Sequence, residues 1–192
     1  FYSKLDENHR PRKIFRHKIG GEVKNDELVF EEKSEAFTVG INLSSDEKYY
    51  FIVSSDHNTS EQYYFDVNEI IPIPKLIQKR KKGILYSVNS WDGKFYNHTN
   101  EEAEDFKVDV SKTIQKPKWE RYIPAKDEVL IGGCTFLKNW MIRSETSNAL
   151  NKLFVRKIGS EIEDELIFSD EKVYEPSISL IQRDRNTDQI YL

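Results

Sequence analysis

The chain has 192 residues, 32% of them charged and 38% hydrophobic, with a formal net charge of −4. That length suits one sizeable domain or part of a larger one, and the 12% aromatic share argues against disorder. Apolar runs such as 28–30 and 49–53 are strand length and exclude a membrane-spanning helix, while interspersed charges of both signs call for neither nucleic acid nor a membrane surface as partner.

In chain order, residues 1–4 read as a strand already under way, 13–17 as a returning strand and 26–30 as an apolar strand after an acidic stretch. Next come a strand over 49–53, a polar turn over 54–61 and a return over 63–67. Residues 78–83 are a basic run, expected as a solvated loop rather than as a site for an anionic partner. Two further copies of strand, turn and return follow: 94–96, 98–105 and 106–108, then 139–142, 144–151 and 153–155. A strand over 164–168 and another over 189–192 complete the series.

The copies are periodic. The entry aromatics Phe51, Phe95 and Trp140 are 44 and 45 residues apart, and the return aromatics Phe65, Phe106 and Phe154 are 41 and 48 apart. Phe15-Arg16-His17-Lys18-Ile19-Gly20 is echoed by Phe154-Val155-Arg156-Lys157-Ile158-Gly159, 139 residues on. A period of about 40–50 residues built from strands marks propeller blades, because one blade cannot bury both faces alone and must stack on neighbours. The reading is all-β: a partial β-propeller of about four blades, each a four-stranded antiparallel sheet, with residues 1–192 a fragment cut at both ends.

Few residues suggest chemistry. A serine nucleophile of an α/β-hydrolase needs a G-x-S-x-G turn, and the sequence has none. Ser54, Ser55, Asp56, His57 and Ser60 crowd one turn, but a catalytic triad converges from distant segments, so Asp56, Asn58, Thr59 and Ser60 are expected to make turn hydrogen bonds. His9, His17, His57 and His98 never fall at metal-ligand spacing. The expectation is no catalytic residue, no cofactor-binding residue, no metal ligand and no cofactor. Cys134, the only cysteine, is expected to be a buried structural thiol, and with no leader pattern visible it suggests a reducing, cytoplasmic setting. Three glycosylation sequons, beginning at Asn42, Asn58 and Asn97, carry no meaning in such a setting.

Collinear motifs add a family. Arg10-Pro11, Phe15 through Gly20 and the run Asp26-Glu27-Leu28-Val29-Phe30-Glu31-Glu32-Lys33 resemble the propeller of the prolyl oligopeptidase family. His57-Asn58-Thr59-Ser60-Glu61 and the Glu31-Glu32-Lys33 ending resemble its oligopeptidase B, or protease II, branch. Tyr86-Ser87-Val88, Phe95 through Asn100, Phe106-Lys107-Val108, residues 119–124 and 168–174 continue the likeness in order. Residues 101–105 are more acidic than that pattern.

The resemblance implies a seven-bladed propeller that caps an α/β-hydrolase domain, absent from residues 1–192. It implies cleavage of short peptides after Arg or Lys, with the propeller gating access and the serine, aspartate and histidine of the triad lying outside this chain. The implied partners are that hydrolase domain and peptides in transit. Two alternatives from other classes stand beside it: a stand-alone protein-interaction propeller and a decayed gene fragment.

Overall fold

In a computed structural model the structure describes residues 1–166, 179–180 and 187–191. Alternating aromatic and β-branched residues produce short strands, each bounded by residues suited to turns. They are β1 (Tyr2–Leu5), β2 (Pro11–Arg16), β3 (Glu27–Glu31), β4 (Thr38–Leu43), β5 (Tyr49–Ser55), β6 (Ser60–Asp66), β7 (Lys75–Gln78), β8 (Tyr86–Trp91) and β9 (Lys94–Thr99). Then follow β10 (Lys107–Ser111), β11 (Glu120–Ile123), β12 (Leu130–Phe136), β13 (Trp140–Ser147), β14 (Leu150–Lys157), β15 (Glu163–Leu166), β16 (Ser179–Leu180) and β17 (Ile190–Tyr191).

The strands pair with their sequence neighbours in five sheets: β1-β2-β3, β4-β5-β6-β7, β11-β10-β9-β8, β12-β13-β14-β15 and β16-β17. Consecutive antiparallel meanders of this kind are propeller blades, so the chain is a partial β-propeller. Among the described residues three of these sheets have four strands, the first has three and the last has two. Among the described residues, no helix is long and apolar enough to cross a membrane.

By contact density the chain divides into two units, Phe1–Thr99 with Val110–Glu120, and Asn100–Asp109 with Arg121–Leu192. In the first unit, the alternation of the second sheet explains the sequence period. Ile52 and Phe65 face one way and pack with Ile14 and Val39; Phe51 and Tyr64 face the other way and pack with Tyr86, Val88, Phe95 and Ile114. The sheet is therefore buried on both faces, each large side chain contributing about 1.5–3 kcal/mol. An isolated copy would leave both of these faces wet.

Polar side chains join the same elements. The Ser60 hydroxyl donates to the Tyr86 carbonyl at 2.9 Å and accepts the Tyr86 N–H at 2.7 Å. Gln62 treats Val88 likewise, its amide nitrogen donating to the carbonyl at 3.2 Å and its amide oxygen accepting the N–H at 2.7 Å. Both side chains thus stand in for a missing strand along β8, so the backbone of this edge keeps its partners while buried. At the β4–β5 turn, the Ser45 N–H donates to the Asn89 side-chain oxygen, the Asn89 amide donates to the Ser45 hydroxyl, and the Ser90 hydroxyl donates to Asp46.

In the second unit, Leu137, Ile142 and Leu153 are buried with Trp140, Val155 and Ile190 against them. The register of β12 on β13 shifts between Ile131 and Cys134, which places Gly132-Gly133 in a β-bulge. A Cβ on Gly132 would stand 2.0 Å from the Ser144 hydroxyl oxygen and 2.9 Å from the Ser144 carbonyl. Glycine is required there by this close approach.

Two turns are shorter than the sequence suggested. Residues 54, 55, 60 and 61 belong to strands, leaving 56–59 as the turn. The β13–β14 turn is only Asn148-Ala149, both left-handed with φ of 50° and 61°. Residues 144–147 and 150–151 are strand, and the Thr146 hydroxyl donates to the Asn151 side-chain oxygen across the sheet. The expected strand over 164–168 begins as β15; its residues 167–168 and the family-like segment 168–174 lie outside the described residues.

Candidate functional site

Residues 54–61 bond to one another and to neighbouring strands. The Ser54 hydroxyl donates to Glu32 at 2.5 Å, and the Asp56 carboxylate accepts the N–H groups of Asn58 at 3.0 Å and Thr59 at 2.8 Å. Ser60 is engaged with Tyr86, and Glu61 faces Arg80. His57 is exposed, and among the described residues no serine or aspartate is bonded to its ring. Asp56, Asn58 and Thr59 therefore make the turn hydrogen bonds expected from sequence, whereas Ser60 bonds the β8 backbone instead. His9 is also exposed, whereas His17 is bonded to Asp26 at 2.7 Å. Among the described residues no group of three potential metal ligands assembles.

The basic run over 78–83 requires a correction. Arg80 is not solvated; its guanidinium reaches Glu32 at 2.7 Å and Glu61 at 2.9 Å and lies over the Phe37 ring at 4.0 Å. The Arg80 N–H also donates to Glu61. Burial pushes the carboxyls of Glu32 and Glu61 up, but hydrogen bonds from Ser54, Ser34, Tyr63 and Arg80 outweigh it, and both end below the usual range. Tyr63, buried and donating to Glu61, is pushed up to about 12. Arg80 links the end of β3 to β5 and β6 through two carboxylates that would otherwise be buried without a counter-charge.

A second ion cluster lies in the other unit. The Arg143 side chain is fully buried and bonds both oxygens of Glu163, at 2.5 and 2.8 Å, and Oε1 of Glu145, at 2.5 Å. Arg156 shares Glu163 at 2.7 Å, and Lys126 shares Glu145 at 2.7 Å. Arg143 and Lys126 both lie about 5 Å from the Phe154 ring centre, in cation–π range. Cys134 is on β12; although the residue as a whole is half-buried, burial of its thiol pushes the pKa up to about 12. The thiol is protonated at neutral pH, as a structural cysteine should be.

The concave surface lies elsewhere, at the ends of β5, β6 and β9 and the segment 110–120. Tyr49, Tyr64 and Phe95 line a cleft of about 400 Å³, with Tyr49 and Phe95 ring centres 5.3 Å apart. Glu69 and Lys75 form one rim, paired at 2.6 Å, and Lys112 to Gln115 form another. Burial, then the nearby Asp66 and Asp46 carboxylates, raise the Tyr49 pKa, so its hydroxyl is a neutral donor at physiological pH. A second cleft of about 270 Å³ shares Lys112 and Thr113 with the first and adds Lys94 and Lys118. Sequence reasoning passed over this surface; the alternation of Lys112, Lys116 and Lys118 with Ile114 and Trp119 was the available signal.

The comparisons with known proteins agree with this architecture. The family model described as the prolyl oligopeptidase N-terminal β-propeller domain matches residues 1–192. The chain belongs to the prolyl oligopeptidase family. Protease 2 of Moraxella lacunata is 36% identical over 145 residues, which is 69% of this chain and 21% of that protein. Dipeptidyl aminopeptidase BI of Pseudoxanthomonas mexicana is 23% identical over 171 residues, 88% of this chain and 23% of that protein. Among solved structures, oligopeptidase B from Trypanosoma brucei, in a closed form with covalently bound antipain, superposes with a TM-score of 0.85 at 24% identity. It covers 92% of this chain and 26% of that one. Oligopeptidase B from Leishmania major gives 0.81 at 19% identity. The likeness thus runs to the oligopeptidase B and protease II branch, and the chain spans about a fifth to a quarter of the length of these relatives.

Proposed function

We infer that this chain is the gating propeller of a serine oligopeptidase similar to oligopeptidase B, acting in the cytoplasm on short peptides and cutting after Arg or Lys. The carrying observation is the match of the propeller family along all 192 residues, in a sequence that holds no G-x-S-x-G turn. Chemistry would then reside on a hydrolase domain outside residues 1–192, to which the propeller docks. The blades contribute exclusion: stacked sheets buried on both faces are rigid, so access is by size and extended conformation rather than by sequence.

Residues of this chain accordingly hold no reacting atom. The 192-residue polypeptide, purified and incubated with a fluorogenic Arg-Arg peptide, is expected to show no turnover. Turnover abolished by a serine-directed inhibitor would overturn the assignment.

A further inference from the structure

We propose that Lys94, Lys112 and Lys118 form a binding site for a small polyanion on the surface of the first unit. The three lysines line one cleft of about 270 Å³, with Ser111 and Thr113 between them and a single carboxylate, Glu120, at its margin. No carboxylate lies within ion-pair distance of Lys94, Lys112 or Lys118 among the described residues. This contrasts with Lys75, Lys126 and Arg80, each of which is neutralised by a glutamate. Three lysines lining one concavity raise its positive potential, which a bound anion relieves. The contrast is sharpened by the chain as a whole, which carries a net charge of −4.

The chemistry of the ligand follows from the donors. Lysine is a compact point charge with three rotatable N–H donors, suited to phosphate or clustered carboxylates rather than to planar bidentate recognition. The Ser111 hydroxyl is already turned into its own loop, donating to the Thr113 carbonyl at 2.9 Å, which fixes the strap between Lys112 and Lys118. Trp119, packed against the core beside Ile114, anchors the far end of that strap. The lysine stems are thus held at both ends on ordered backbone. The aromatic cleft that shares Lys112 and Thr113 offers room for an apolar extension of the same ligand.

The test is calorimetric titration of the 192-residue chain with citrate and, separately, with inorganic pyrophosphate, at about 0.01 M ionic strength where screening extends ~30 Å. At least one probe is expected to bind. The triple variant K94A/K112A/K118A should weaken it by about tenfold or more, and K112Q alone by a smaller factor. The control K18A/K33A/K157A removes the same charge from exposed lysines elsewhere and should stay within about twofold of the parent. Binding of citrate only assigns the site to carboxylates, and of pyrophosphate only to phosphates. No heat with either probe, or equal loss in the control, would overturn the proposal.

Discussion

Replacing Arg80 by methionine keeps most of the side-chain volume and removes the charge. Glu32 and Glu61 are left 6% and 7% exposed with no cation beside them. Removing one partner of a buried ion pair costs about 3–5 kcal/mol, and the 26% exposure of the Arg80 side chain puts this case near the lower bound, about 3 kcal/mol. At this chain length that is a fall in Tm of about 6–12 °C. The pH dependence is the sharper signature. In the parent both carboxyls sit below their unfolded value, so the stability they contribute is present above about pH 4.3 and is lost as pH falls through the folded values. In R80M burial dominates and both rise above the unfolded value. Their contribution then reverses, being present at low pH and lost as pH rises. Urea denaturation of both proteins from pH 4 to pH 8 should show a deficit that shrinks towards acid. A deficit below about 1 kcal/mol at pH 7, or one independent of pH, would refute the reasoning.

Arg143→Met should be at least as severe, about 3–5 kcal/mol, because its side chain is fully buried and two glutamates depend on it; urea midpoints followed by near-UV circular dichroism measure it. Gly132→Ala forces the β12 bulge away from Ser144 and should cost about 1–3 kcal/mol, whereas Gly133→Ala, whose Cβ meets nothing within 4 Å, should change the midpoint far less.

The blade period was legible because it reflects a physical necessity. Phe51 and Ile52, or Tyr64 and Phe65, are adjacent in sequence and serve opposite faces, so a sheet buried on both sides writes paired aromatic and aliphatic residues at each strand. Turn boundaries were less legible. Ser60 and Glu61 carry the composition of a loop, yet each is in a strand, held there by Tyr86 or Arg80 from elsewhere in the chain. Such partners are distant in sequence: Arg80 lies 48 residues from Glu32. The same distance hid the ion clusters and led to Arg80 being read as solvated. The lysine-lined cleft was hidden for another reason, since Lys94 and Lys118 meet only once the strands are paired.

The gating role is tested most directly by reading the coding sequence downstream of Leu192 and assaying the translated product. The account predicts a G-x-S-x-G turn in that extension. It also predicts cleavage after Arg in a short free peptide, with the same sequence left intact when embedded in a folded protein. Comparable cleavage of the folded substrate, or an extension with no hydrolase nucleophile, would contradict it.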